Sequence, residues 1–292
     1  MSETVTVKAP AKINWALKIT GVQDGFHELD MIMDTVSLYD TLTFDRTEDG
    51  TITVQKIAQV RNPEDNLIWR AAKALQDKTA TGFGVKVGID KKIPSGAGLG
   101  GGSADAAATL RALNALWELD LSKEELERIA LTIGSDVPFC VRGGRMRAKG
   151  RGQILSPCGG TGVYHLLIAK GELGSPTGPV YQGYDRWGTE AHVETDALAD
   201  ALKKQEMAEL APLLGGNNDL SLAAKKICPE ITRTLTLLEK TEPVAFWMTG
   251  SGAACVALYP EEESAGEAYE KVWHHIYWSC AVQTIGRKDA AE

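Results

Sequence analysis

No stretch of this 292-residue chain approaches the ~20 consecutive apolar residues that a membrane-spanning helix requires. The opening Met1-Ser-Glu-Thr-Val-Thr-Val also lacks the basic region and apolar core of a secretory signal. Cysteine is scarce and scattered: Cys140, Cys158, Cys228, Cys255 and Cys280 are odd in number and contain no CxxC pair. That pattern argues against a disulfide framework or a zinc site and fits a reducing compartment, so a cytoplasmic protein with no metal held by its own side chains is expected. An excess of cations is missing too. Lys and Arg number 31 against 39 Asp and Glu, a net charge of −8, which disfavours nucleic acid as a partner. With 43% hydrophobic and 24% charged residues, the composition excludes a disordered or fibrous chain. The length suits about two domains.

Period-two alternation over residues 12–19 predicts a half-buried strand, with Ile13, Trp15, Leu17 and Ile19 on one face and Lys12, Asn14 and Lys18 on the other. Further strands are expected at Leu42/Phe44, Ile52/Val54 and Val85/Val87/Ile89. Helical spacing of Leu67, Ile68, Ala71, Ala72 and Leu75 follows an Asn62-Pro63 start signal. A second helix is expected from Ser103 to about Trp117, with Ala107, Leu110 and Leu113 inward. A third opens with the capping box Ser122…Glu125, stapled by Leu121 and Leu126, and ends near Gly134 as a left-handed cap. The tract Ser156-Pro157-Cys158-Gly159-Gly160-Thr161-Gly162 breaks the pattern and predicts a boundary, giving domains 1–158 and 159–292. Beyond it come a strand at 165–169, short helices from 179 to 240, a hairpin around Thr249-Gly250-Ser251-Gly252-Ala253, a helix at 261–273 and a strand at 279–285. This order predicts a split βαβ, ferredoxin-like layer in an α+β protein.

The most informative segment is Pro94-Ser95-Gly96-Ala97-Gly98-Leu99-Gly100-Gly101-Gly102-Ser103-Ala104. Its glycines let a ligand approach backbone N–H groups, and it feeds a helix N-terminus, so a polyphosphate is the natural occupant. It is not a Walker A loop, because Gly102 rather than Lys precedes Ser103. Gly96-x-Gly98-x-x-Gly101 matches the dinucleotide fingerprint only formally, since no second strand with a terminal acid follows. A nicotinamide-dependent oxidoreductase is therefore the weaker reading, and a nucleic-acid module weaker still.

These residues resemble the second motif of the GHMP kinases, the superfamily of galactokinase, homoserine kinase, mevalonate kinase and phosphomevalonate kinase. Pro10-Ala11-Lys12-Ile13-Asn14 resembles its first motif, Gly134-Ser135-Asp136-Val137-Pro138 the segment of its catalytic acid, and Thr249–Ala253 its third. The resemblance implies an N-terminal ribosomal-protein-S5-domain-2-like domain and a C-terminal ferredoxin-like domain, with ATP on the first and substrate in the cleft between them. Asp24-Gly25-Phe26-His27-Glu28-Leu29, Asp65-Asn66-Leu67-Ile68, the triple glycine 100–102 and Asn218-Asp219-Leu220 narrow it to one branch. That branch phosphorylates the 2-hydroxyl of a cytidine diphospho-sugar-alcohol, 4-diphosphocytidyl-2-C-methyl-D-erythritol, in the non-mevalonate isoprenoid pathway. Two positions depart from it: Phe26 stands where Tyr is usual, and Thr249 where Ser is.

By the same resemblance Asp136 is the expected general base and Lys12 its partner, a cation that favours the ionised carboxylate and steadies charge on the acceptor oxygen. Asn14 is expected to hold the substrate or orient Lys12. Phe26 and His27, in a turn after Gly25, would stack and edge-bind a cytosine, with Tyr181 covering its other face. Asn66 and Leu67 would border the adenine, and Lys91 would meet ATP beside the loop residues 94–104. Mg²⁺ is expected to be held mainly through phosphates. A monomer or weak homodimer without nucleic-acid or membrane partners completes the expectation.

Overall fold

The computed structural model describes residues 4–57, 62–160 and 162–287. Two long antiparallel strands, β1 (Thr4–Gln23) and β2 (Phe26–Thr47), form the frame of the N-terminal half. Only Asp24 and Gly25, at φ 51° and 77°, make the turn between them, a two-residue connection whose twist suits a hairpin. His27 therefore lies in a strand opposite Val22 and not in the expected turn, because two residues suffice to reverse the chain.

The alternation at 12–19 is indeed strand, but not a half-buried one. Residues 9–17 of β1 are all buried, and the register with β2 slips between Asn14 and Ala16. Covering both faces removes solvent from the side that carries Lys12 and Asn14, so those polar groups must find protein or ligand partners. Ile13 and Trp15 enter a core shared with Tyr164, Leu166 and Trp247 from the other half of the chain. The Trp15 and Trp247 rings stack at 5.2 Å.

Strands β3 (Ile52–Val54), β4 (Gly84–Asp90), β5 (Met146–Gly150) and β6 (Ile154–Pro157) complete a six-stranded sheet of order β3-β4-β2-β5-β6, with β1 paired to β2. Helices α1 (Leu67–Thr79), α2 (Gly101–Leu116), α3 (Lys123–Ile133) and α4 (Val137–Arg142) accompany it. Three helix boundaries differ from expectation. The Asn62-Pro63 signal starts a single 3₁₀ turn, and α1 begins only after Asn66, whose side chain accepts from the Ile68 N–H at 2.9 Å. Helix α2 begins at Gly101, two residues before Ser103, because Gly100 (φ 68°) rather than a serine side chain turns the backbone into it. The capping box of α3 is present, yet Gly134 is extended (φ −178°), since the chain turns at once into α4 through Val137 N–H to Gly134 O at 3.2 Å.

The C-terminal half holds β7 (His165–Lys170), β8 (Ala245–Met248), β9 (Cys255–Tyr259) and β10 (Trp278–Gln283) in the antiparallel order β10-β7-β9-β8. Helices α5 (Thr177–Trp187), α6 (Thr195–Lys204), α7 (Met207–Leu214), α8 (Ser221–Ile227) and α9 (Glu230–Glu239) lie between β7 and β8, and α10 (Glu262–Val272) precedes β10. This is the expected split βαβ layer with extra helices inserted.

Two arginines, Arg145 just before β5 and Arg147 within it, tie the halves together. Arg147 is hydrogen bonded to both oxygens of Asp30 and to Asp196 of α6. Arg145 donates to Asp34 Oδ2 at 2.6 Å and to the carbonyls of Gly159 and Gly162 at 2.7 and 2.8 Å. Both side chains of the Arg145–Asp34 pair are almost wholly buried. Burial pushes the Asp34 carboxyl up from its ordinary range, and the Arg145 guanidinium opposes that push. Breaking such a pair leaves an uncompensated buried charge. Arg145→Leu should therefore lower unfolding free energy by about 3–5 kcal/mol in urea titration, with part recovered in the Asp34→Asn, Arg145→Leu double variant. A loss under about 1 kcal/mol would show that the buried pair contributes little to stability.

Candidate active site

The loop between β4 and α2 is fastened from three directions before any ligand is considered. Lys12 N–H of β1 donates to Leu99 O at 3.0 Å, Ser175 N–H and Ala253 N–H both donate to Gly96 O at 3.1 Å, and Ala254 N–H donates to Ala97 O at 3.0 Å. Gly98 (φ 75°) has to be glycine on two grounds, because a Cβ there would lie 2.5 Å from the Thr249 carbonyl oxygen. At Gly100 (φ 68°) a Cβ would lie 2.9 Å from Lys12 Cγ. The first motif, the glycine loop and the third motif thus pack as one unit. At its centre the amides of Gly101, Gly102 and Ser103 open the 16-residue helix α2 and have no acceptor within that helix. These amides and the helix dipole favour an anion.

Lys12 and Asp136 meet. The Lys12 ammonium, nearly buried, stands 3.5 Å from Asp136 Oδ2 and donates to Asn14 Oδ1 at 2.7 Å. Asp136 is the residue before α4, but its side chain makes no capping bond and so faces Lys12 instead. Asn14 is held in turn: its N–H donates to Thr249 Oγ1 at 2.8 Å, and its carbonyl accepts from Trp247 Nε1 at 2.9 Å. The threonine in place of serine keeps the hydroxyl that this contact uses.

The cleft containing this pair has a volume of about 820 Å³. Lys12, Asn14, Phe26, His27, Lys91, Asp136, Tyr181 and loop residues 94–103 all line it. Asn66, Leu67 and Ala104 are not among its lining residues. Asn66 spends its side chain capping α1, the Leu67 side chain packs beside Gly102, and the Ala104 N–H donates to Gly100 O at 2.8 Å. Lys91 is bound to the buried carboxylates of Asp40 and Asp105, the latter at 2.7 Å. Burial pushes Asp105 up to about 7, with Asp40 adding to the push and Lys91 opposing it.

At the far end of the cleft, the Phe26 ring is half exposed, and the Arg151 guanidinium lies 3.5 Å from its centroid. His27 packs against Tyr181, with ring centroids 4.9 Å apart, and its Nε2 lies 2.7 Å from Asp185 Oδ1. Phe26 and Tyr181 therefore each have one ring face already in contact with a protein cation or imidazole. Burial, aided by the negative charge of Asp136, raises the Tyr181 phenol above its ordinary range. Arg151, Asp185, Thr177 and Ser251 escaped the sequence reading. The latter two join hydroxyls at 3.0 Å across the cleft wall, and although Ser251 lies in the third motif, its sequence gives no sign of Thr177 as a partner. Asn218-Asp219 has a structural part, with Asn218 Nδ2 donating to Gly250 O at 2.8 Å and Asp219 Oδ2 accepting from Ile19 N–H at 2.7 Å.

The model of the GHMP kinases N terminal domain matches residues 66–144, and that of the GHMP kinases C terminal matches residues 198–275. A 4-diphosphocytidyl-2-C-methyl-D-erythritol kinase of Gloeobacter violaceus is 41% identical over 262 residues, covering 88% of this chain and 86% of that protein. Its counterpart in Brevibacillus brevis is 35% identical over 288 residues, covering 98% of both chains. A crystal structure of 4-(cytidine 5'-diphospho)-2C-methyl-D-erythritol kinase superposes with a TM-score of 0.81 at 28% identity, covering 97% of this chain and 100% of that one. The mevalonate kinase of L. major, at 17% identity and a TM-score of 0.75 over 98% and 99% of the two chains, shares the fold. Identity at this level over almost the whole length means that this small-molecule kinase belongs to the 4-diphosphocytidyl-2-C-methyl-D-erythritol kinase family of the GHMP kinases.

Proposed function

We propose that the enzyme transfers the γ-phosphoryl group of ATP to the 2-hydroxyl of 4-diphosphocytidyl-2-C-methyl-D-erythritol, in the non-mevalonate isoprenoid pathway of the cytoplasm. The observation that carries this reading is the meeting of the Lys12–Asp136 pair, the glycine loop and the Phe26–His27–Tyr181 group in one cleft. Residues 1–158 would bind ATP, residues 159–292 would close the substrate side, and the enzyme would work as a monomer or weak homodimer.

Phosphoryl transfer demands positioning and charge neutralisation more than covalent chemistry. The amides at the start of α2 cradle the phosphates. Asp136 takes the proton of the acceptor hydroxyl, and Lys12, steadied by Asn14, neutralises charge on the attacking oxygen. Among the described residues no group of three or more His, Cys, Asp or Glu side chains could hold a metal. A magnesium ion carried largely by phosphates and water would supply neutralisation of the transferred group. His27 would read the edge of the cytosine, and the open faces of Phe26 and Tyr181 would lie against the base.

ATP consumption should be fast with the cytidine diphospho-sugar-alcohol and near background with free methylerythritol phosphate, mevalonate or homoserine. Equal rates with mevalonate would sink the substrate assignment. Asp136→Asn should lower kcat by roughly 10²–10⁴-fold with ATP binding retained. Lys12→Met should do the same, and the double variant should lose less than the product of the two, because the pair acts as a unit. Gly100→Ala places a methyl group against Lys12 Cγ. It should reduce kcat at least tenfold by moving the ammonium off Asp136, while ATP still raises the melting temperature. Wild-type kcat in that variant would show that the register of Lys12 is not set by the loop.

A further inference from the structure

Helix α5 surrounds His27 with three side chains from successive turns. Tyr181 packs against its ring at 4.9 Å, Tyr184 meets it edge-on at 5.9 Å, and Asp185 places Oδ1 2.7 Å from Nε2. Residues 181, 184 and 185 fall on one side of a helix, since neighbours three and four apart share a face. The imidazole is only 16% exposed, lines the cleft, and starts β2 just past the hairpin turn. Among the described residues, no protein group is hydrogen bonded to its Nδ1.

We infer that Asp185 is a positioning residue that fixes which nitrogen of His27 carries the proton and thereby makes the site select cytosine over uracil. This rests on the proposed use of the cleft for a cytidine diphosphate substrate. An ionised carboxylate only accepts hydrogen bonds, so the Nε2 facing it must carry the hydrogen. In the neutral ring Nδ1 is then an acceptor. Cytosine presents the N4 amine as a donor where uracil presents the O4 acceptor. An acceptor at Nδ1 pairs with the first and faces the second lone pair to lone pair. The imidazole alone does not discriminate, because with its hydrogen on Nδ1 it would favour uracil. The discrimination lies in the tautomer, and Asp185 sets the tautomer. A carboxylate that orients and fixes a functional histidine from behind is a general device of metal and catalytic sites. Here it would act on base recognition.

Three measurements on the full-length enzyme test this. The first is the ¹⁵N spectrum of labelled histidine above the imidazole titration, with the His27 signals identified by loss in His27→Gln. It should show a protonated Nε2 and an unprotonated Nδ1. A proton on Nδ1 in the wild type overturns the proposal whatever any variant does. The second is kcat/KM for the cytidine and uridine forms of the substrate. In Asp185→Asn, whose amide can donate or accept, the preference for cytidine should fall about tenfold, the worth of roughly one hydrogen bond. The loss should appear in KM for the cytidine form and not in kcat, because Asp185 touches neither Asp136 nor the phosphate loop. The third is Asp185→Glu, which keeps the carboxylate and should restore most of the preference. An unchanged cytidine-to-uridine ratio in a folded Asp185→Asn overturns the role of Asp185 while leaving the cytidine reading intact. A wild type that shows no preference between the two bases overturns both, and that result is read without any variant.

Discussion

Everything at the site depends on β1 being buried on both faces. A strand with one solvated face could leave Lys12 and Asn14 in water, where a lysine carries little directional information. Covered on both sides, the same two residues must be satisfied internally, and the partners available are each other, Asp136 and the loops that cover the strand. The backbone of β1 does equal work. Its Lys12 N–H fixes the glycine loop, its Asn14 N–H fixes the third motif, and its Leu17 N–H and carbonyl bond Asn217 and Asp219. One strand therefore sets the separation between the amides that open α2 and the Lys12–Asp136 pair. Catalytic geometry held at that accuracy is worth far more on a rigid element than on a free loop.

Charge in the cleft is balanced in pairs. Lys91 stands at the start of α2 but is bound to two buried carboxylates, so it brings no net positive charge to that spot. The raised Asp105, pushed up mainly by burial, shows the strain of placing two acids around one ammonium. Lys12 is likewise balanced by Asp136. An anion there would be attracted chiefly by the amides that open α2, whose partial charges are fixed in direction and need no counterion. A phosphate that arrives there does not have to break an ion pair first.

Much of this was legible in the sequence, and the reasons differ by element. Hydrophobic period identified β1, β4 and the helices α1 and α2, because burial on a regular element repeats with that element's own geometry, and the capping box identified α3. The glycine loop was legible because backbone approach excludes side chains, and Gly98 and Gly100 prove to be such positions. What local pattern could not show was the far side of each contact. The full burial of β1 comes from Tyr164, Leu166 and Trp247, more than a hundred residues away, so a two-period strand read as half-buried. The start of α2 was misplaced because Ser103 is a good cap by type, while Gly100 turns the backbone by conformation alone. Asp185 carries no motif, and only the approach of α5 to the hairpin gives it a partner.

The motif Asn218-Asp219-Leu220 shows why residue pattern and chemical role have to be separated. Read as part of a family signature, it invites a place in the site. In the fold, Asn218 bonds the carbonyls of Met248 and Gly250, and Asp219 bonds the Ile19 N–H, so the segment clamps the third motif against β1. Lys12 belongs to an equally marked motif and yet lines the cleft. The two differ in what their polar atoms have left to do. The side-chain bonds of Asn218 run to backbone groups and are spent inside the protein, whereas the Lys12–Asp136 contact is ionic, long at 3.5 Å and lines open volume. A charged pair at that separation on a cleft wall can exchange its partner for a substrate oxygen at small cost, and a clamp closed on backbone carbonyls cannot. Residues within such motifs thus divide into those that build the cleft and those whose polar groups line it, and the division follows from which hydrogen-bonding capacity the fold leaves available.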